Sequence, residues 1–398
     1  MRIGASQTAE RVAWLANFGI GLLATSYGAA LPALVHDLGR GYAALSLLFV
    51  AFAAGNTVTY FLANPLIDRG GVQRVLVAGL ATFFAAGLAL GLARSFGAWV
   101  AATLVMGIAF SLADVSAARL VGALHHQAPA HAMNRLNIYF GIGAIAAPMI
   151  VGFSVHLGGG PQPVFLLIAL CGGVGAAVLS RLPQPPRRQA ETSSRGDSFA
   201  RYFRQARWLQ LLTLMIFFYI SAEVGFGAWI AAYVHLRAGL STAVAALYPS
   251  AYQFGLISVR LIVARSLAVL RLERMLALGG LVAAMATLGA ALGGANAWLA
   301  LAGAFLAGVG FSPAFPVALT LASVRGPGRE GWTFGAVFSA LALAALIAPW
   351  AEGQVFGRLP LVALLLTPLS ALVMAGCAIL LMRSPAAPSD RVPAQNVG

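Results

Sequence analysis

The chain has 398 residues, 60% of them hydrophobic and 9% charged, with a mean hydropathy of +0.86 and a formal net charge of +14. Soluble domains carry about 25% charged residues, so a water-soluble enzyme or binding domain is excluded. All 25 basic residues are arginine, and they sit at the ends of apolar runs rather than in one patch, which excludes a nucleic-acid surface.

A helix needs roughly 20 apolar residues to cross the ~30 Å hydrocarbon core. Twelve such runs follow one another, about 12–34, 43–65, 75–93, 97–121, 136–156, 163–182, 208–234, 242–265, 275–293, 296–323, 332–351 and 360–382. None alternates apolar and polar residues as a transmembrane strand would. The expected fold class is an all-α integral membrane protein with 12 transmembrane helices.

With the N-terminus cytoplasmic, twenty arginines fall inside and four outside (Arg40, Arg94, Arg237 and Arg358), while Arg260 lies within a span. This is a positive-inside distribution. It predicts a multi-pass protein of the cell inner (plasma) membrane with both termini in the cytoplasm. The opening MRIGASQTAER is short and polar, unlike a secretory signal peptide.

The sixth and seventh runs are separated by a segment rich in Pro, Ser and Arg. The expected organisation is a six-helix bundle over 1–182, a cytoplasmic linker over 183–207, a second bundle over 208–383, and a disordered tail over 384–398. The two halves repeat at an offset near 200. GNTVTYFLANPLIDRGGVQRVLVAG (55–79) lies over GLISVRLIVARSLAVLRLERMLALG (255–279), matching Gly55 with Gly255, Arg74 with Arg274 and Gly79 with Gly279. YGAALPALV (27–35) parallels FGAWIAAYV (226–234), GIAFSLADV (107–115) parallels GVGFSPAFP (308–316), and Ala147-Pro148 parallels Ala348-Pro349. A six-span unit duplicated in parallel predicts two bundles related by a pseudo-two-fold axis along the membrane normal, able to rock around a site between them.

An ionisable side chain near a span's centre costs about 2.5–3.5 kcal/mol on insertion scales, so each one needs a reason. Glu223 stands alone in the apolar stretch YISAEVGFGAWIAAYV, with Tyr219 and Gly227 one turn away on its face. Burial disfavours the charged carboxylate, so Glu223 is either a proton-exchanging group in a polar pocket or a structural carboxyl tying helices together. Asp114 ends a small-residue stripe of Gly107 and Ser111, continued by Ala118. The stripe serves close packing; the acid either carries protons or pairs with an arginine such as Arg119. Arg260 either snorkels to the headgroups or pairs across the cavity. Asn17, Tyr27, Asn56, Asn137, Gln253 and Trp229 are polar or amphipathic groups available for substrate contact, with Trp229 alternatively an interfacial anchor. Pro148 and Pro349 are expected to kink their helices.

Cys171 and Cys377 occupy separate spans and read as small core residues. The loop triplet of His125, His126 and His131 matches no strong metal spacing and reads as solvated, so no metal site is expected. No phosphate loop ending in Lys-Ser or Lys-Thr is possible without lysine, and neither a nucleophile–histidine–acid order nor HExxH is found. No enzyme activity and no bound cofactor are therefore expected; the energy source would be a proton gradient, or sodium.

The chain resembles the major facilitator superfamily over its full length. ANPLIDRGGVQR (63–74) is similar to that superfamily's loop signature after the second helix, with Asn64 where a glycine is usual. The resemblance implies that Asp68, Arg69 and Arg74, with Arg260 added, form an intracellular gate. LADVSAARL (112–120), NIYFGIGAIAAP (137–148), AEVGFGAWIAAYV (222–234) and GVGFSPAFPVALTLA (308–322) resemble the fucose- and glucose-type sugar symporters. That branch implies proton coupling through Glu223 and Asp114 and a sugar substrate, for which Tyr27, Asn17, Asn56, Asn137, Tyr219, Trp229 and Gln253 supply amide, hydroxyl and aromatic contacts, as they would for other polar solutes. AAPMIVG (146–152) partly resembles the fifth-helix signature of proton-antiporting drug exporters, which keeps an exporter of amphipathic compounds as the alternative. The expected partners are a small-molecule substrate and the lipid bilayer, with no nucleic acid, and the expected working unit is a monomer.

Overall fold

The computed structural model describes residues 3–125, 129–183, 199–266, 271–326 and 329–384, apart from the side chains of 3, 129–131, 260–266, 330 and 331. All regular structure among them is helical. The helices are α1 (Ile3–Leu38), α2 (Tyr42–Leu45), α3 (Leu47–Gly70), α4 (Val72–Leu92), α5 (Phe96–Leu124), α6 (Pro129–His156), α7 (Gln162–Ser180) and α8 (Phe199–Gln205). There follow α9 (Arg207–Arg237), α10 (Thr242–Ala245), α11 (Tyr248–Ser266), α12 (Leu272–Leu292), α13 (Ala297–Phe311), α14 (Ala314–Arg325), α15 (Glu330–Phe356) and α16 (Pro360–Arg383). Eleven candidate spans among the described residues are long and apolar enough to cross a membrane. Helix α11 takes the remaining place in a twelve-span order.

The structure adds two details to the expected runs. The tenth run is one span but two helices, because Pro313 supplies no N–H to continue α13, and Ser312 instead donates its hydroxyl to Leu256 O at 2.7 Å. The segment 183–207 also contains a helix, α8.

The sequence repeat is a structural repeat. The short helices α2 and α10 lie 200 residues apart, each preceded by a left-handed glycine (Gly39, φ 58°; Gly239, φ 63°) that turns the chain without the Cβ clash of other residues. Helix α1 packs on α6 as α9 packs on α15, α3 on α5 as α11 on α13, and α4 on α7 as α12 on α16. Glycines set the closest crossings. A Cβ on Gly55 would strike Leu104 O and one on Gly107 would strike Phe52 O; their counterparts Gly255 and Gly308 face Phe305 O and Tyr252 O in the same way. With lipid tails as apolar as the side chains, such backbone approach is what holds membrane helices together.

The halves meet through α1 against α9, α6 against α11 and α3 against α15. Large apolar side chains such as Phe153, Met285 and Trp298 point outward. A soluble monomer rarely shows so much apolar surface; here it is the face offered to lipid.

Candidate functional site

The end of the bundle carrying α2, α10 and the α15–α16 turn is called the far end; the other, where α1 begins and α16 ends, is the near end. The far end is shut. Trp229 of α9 donates its indole N–H to Pro349 O of α15 at 3.1 Å and stacks on Phe356 with ring centroids 4.7 Å apart. From the other half, Tyr42 and Phe49 close over this pair, with centroids 6.1 and 6.0 Å from Trp229 and Tyr42 5.1 Å from Phe356. Gln354 adds bonds to Ala43 O (3.1 Å) and Ser46 Oγ (3.0 Å). Nearby, Ser250 of α11 donates to Ile145 O of α6 at 2.8 Å, again across the halves.

Toward the near end the halves touch where Tyr60 of α3 stacks on Phe338 of α15, centroids 6.2 Å apart. Beside that pair lies an open cavity of about 460 Å³ lined by Tyr60, Phe61 and Asn64 of α3, Asp114 and Arg119 of α5, and Phe334 and Phe338 of α15. Asp114 accepts a hydrogen bond from Tyr60 Oη at 3.3 Å. One turn further out, Arg119 Nη1 pairs with Asp68 Oδ1 at 2.8 Å, both side chains about 40% exposed. The cavity thus has an aromatic lining, the carboxyl of Asp114 on its wall, and Arg119, which pairs with Asp68 beside it.

The remaining expected residues divide into two sets. Some serve the bundle interior. Asn17 is buried and donates to Ala13 O; Tyr27 is buried among Phe49, Phe52 and Phe165 and donates to Thr103 Oγ1 at 3.1 Å; Asn56 Oδ1 accepts from Ser111 Oγ. Tyr219 is buried against Phe311, and Trp229 belongs to the far-end closure. Others keep exposure: Glu223 and Gln253 are half-buried on α9 and α11, and Asn137 is exposed on α6. Of the expected gate, Asp68 pairs as described, Arg69 and Arg74 are exposed, and the Arg260 side chain lies outside the described residues.

Several groups escaped the sequence reading. Tyr60 was one of many aromatic residues, and Arg119 was weighed only as a partner for Asp114, whereas it pairs with Asp68. His125 is not simply solvated: its Nε2 lies 3.0 Å from Glu10 Oε1, with Arg135 at 3.9 Å. His126 and the side chain of His131 lie outside the described residues. Glu352 falls one residue beyond the predicted eleventh run, so the search for acids within spans passes over it. Helix α15 continues to Phe356, and Glu352 is only 5% exposed. Aligning Pro349 with Pro148 carries the signal, since α6 runs eight residues past its proline.

The family model of the Major Facilitator Superfamily matches residues 13–349. The chain belongs to this superfamily. Its twelve-helix transporter fold is also that of the nucleoside transporter NupG, with a TM-score of 0.77 at 12% identity, covering 95% of this chain and 98% of that one. A bacterial homologue of the human lysosomal transporter Spinster, inward-facing and unoccupied, gives 0.74 at 14% identity over 98% and 100% of the two chains. The same homologue, inward-facing and occupied, gives 0.73 at 14% over 96% and 97%. At such identities the likeness concerns the fold alone. No curated protein matches the sequence. This superfamily member is thus a multi-pass membrane transporter of small solutes, not an enzyme.

Proposed function

We propose that the chain is a secondary transporter in the inner membrane, near end in the cytoplasm, that moves a small organic solute with protons by rocking its halves. The observation that carries this reading is Asp114. It is a carboxyl in an apolar span, placed on the wall of the near-end cavity between the halves and held by the hydroxyl of Tyr60. An acid there is exposed to the cytoplasmic side while the far end is shut, and rocking would move it into a closed surround that favours its neutral form. Glu223, half-buried on α9, is the second proton carrier. A difference of ~1–3 kcal/mol in solute affinity between protonated and ionised forms suffices for useful coupling.

A sugar is the first substrate class, on the symporter resemblance and on the amide groups of Gln253, Asn137 and Asn64. A second reading, proton-driven export of amphipathic compounds, is favoured by the aromatic lining of Tyr60, Phe61, Phe334 and Phe338 around one carboxyl. The test uses protein in liposomes with a trapped pH dye, supplied with sugars, nucleosides and cationic drugs. Solute-driven internal acidification that disappears in Asp114→Asn supports symport and names the class. Alkalinisation with cationic drugs alone supports export. No solute-driven pH change with any compound would overturn the proton-coupled reading.

A further inference from the structure

Glu352 is the most deeply buried acid in the described spans, and nothing in the transport reading above uses it. No described residue gives it a hydrogen bond or an ion pair. Both carboxyl oxygens lie against Gly225 of α9, so close that a Cβ at that position would collide with them. Gly225 therefore makes the space that the carboxyl fills. The contact has a second tier. Four residues on along each helix, Trp229 and Phe356 stack over the Gly225–Glu352 pair. The cover is completed from the other half, where Tyr42 packs on both rings and Ser46 lies against Gly353.

Burying an unpaired carboxylate carries a penalty of several kcal/mol, far more than burying its neutral form. The cradle therefore suits a protonated acid. The cover is not part of the half that holds the acid: Tyr42, Ser46 and Phe49 move with α2 and α3, whereas Glu352 and Gly225 move together. Rocking that opens the far end lifts the cover and lets water reach the carboxyl. Helix α9 carries Glu223 two residues from Gly225, Tyr219 and Arg207 toward its near end, and Tyr233, His235 and Arg237 eight or more residues toward its far end; α2 and α3 have the phenols of Tyr42 and Tyr60. The charges of α3, α14 and α16 (Asp68, Arg69, Arg325 and Arg383) are at the near end. Among the described residues, none forms an ion pair with Glu352 in this dry state.

We propose that Glu352 is a proton-binding site that keys the far-end closure, neutral while α2 and α3 cover it and releasing its proton to water on the far side when that cover lifts. The proposal rests on the rocking motion inferred above but not on any particular solute. Because the closed state holds the extra proton, raising the pH should favour the open far end.

The test is a distance measurement that needs no substrate. Spin labels are placed through Arg40→Cys and Arg358→Cys, on opposite halves at the far end, with Cys171 and Cys377 replaced by alanine. In otherwise wild-type protein, alkaline pH should populate a longer distance, and acid pH should restore the short one. Glu352→Gln should hold the short distance at every pH. Identical titrations with and without Glu352→Gln would overturn the proposal. Should Glu352→Gln fail to fold, infrared spectra of the native side chain decide instead. A protonated-carboxyl band that shifts in Glu352→Asp is expected, and its absence at acid pH overturns the proposal. A Glu352-dependent distance change without solute-driven proton movement would leave this inference standing and overturn the coupled-transport reading alone.

Discussion

Thr25 of α1 donates its hydroxyl to Ala144 O of α6 at 2.9 Å. Ala144 is the residue whose carbonyl Pro148, four positions on, cannot engage, because proline has no N–H. The neighbouring carbonyl, Ile145 O, is taken by Ser250 from the opposite half. The acceptor that the proline frees is thus used within the N-terminal bundle, and the carbonyl next to it serves a bond across the halves.

Removing the first bond leaves a buried carbonyl unsatisfied. Thr25→Val, nearly isosteric, should lower stability by about 1–3 kcal/mol, while Thr25→Ser should recover most of the loss. Thermal unfolding of the detergent-solubilised protein, followed by tryptophan fluorescence, reads both. Equal midpoints for Thr25→Val and wild type would show that α6 satisfies Ala144 O in some other way.

The glycine crossings give a prediction of opposite signs at chemically identical substitutions. Gly107 and Gly308 press against the backbone of the neighbouring helix, whereas a Cβ on Gly376 in α16 meets nothing within 4 Å. Gly107→Ala and Gly308→Ala should each destabilise by about 1–3 kcal/mol, because backbone must move to admit the methyl group. Gly376→Ala should be neutral or raise stability by up to about 1 kcal/mol, the difference in helix propensity. The same unfolding assay separates them.

Two arginine–carboxylate pairs should behave differently although their bond lengths are similar. Arg325 and Glu273 meet at 2.6 Å with side chains 10% and 15% exposed, and Arg325 also donates to Leu381 O at 3.0 Å, closing the end of α16. Arg325→Met leaves a buried carboxylate alone and should cost about 3–5 kcal/mol. Arg119 and Asp68 are far more exposed, so Arg119→Met should change stability by no more than about 1 kcal/mol. If both variants unfold alike, burial is not what distinguishes these pairs.

The fold was largely legible in the sequence because the membrane imposes length and apolarity on each span, and because the repeat is written in residues with little choice. Gly55 and Gly255, or Pro148 and Pro349, recur since only glycine permits the crossing and only proline frees the carbonyls. The same repeat position can also use different chemistry. Gln73 donates to Leu179 O and Leu182 O at the end of α7, whereas its counterpart Glu273 holds Arg325, which closes α16. The site was less legible. Composition can say that Asn17, Tyr27 and Asn56 are polar groups within spans, but not that Ala13 O, Thr103 and Ser111 already engage them. Nor could a window of apolar residues tell that Glu352 is inside a helix that continues past its proline. These facts depend on which helix faces which, and a single sequence carries no record of that.

Tyr60 and Asp114 offer the sharpest separation of a proton carrier from a structural acid. Their hydrogen bond, 3.3 Å, is long for an O–H···O contact, so its loss should sit at the weak end of the range for bonds to charged groups. Tyr60→Phe should then slow solute-driven proton movement by roughly ten-fold, corresponding to about 1.5 kcal/mol, and leave its direction unchanged. Asp114→Asn removes the titrating group itself. Net proton movement should vanish, while exchange of labelled solute across the membrane persists and no longer depends on pH. The two assays run on the same liposomes. Asp114→Asn that still moves protons with solute would mark Asp114 as structural and leave Glu223 as the carrier. Loss of exchange together with proton movement would mean that Asp114 holds the solute rather than the proton.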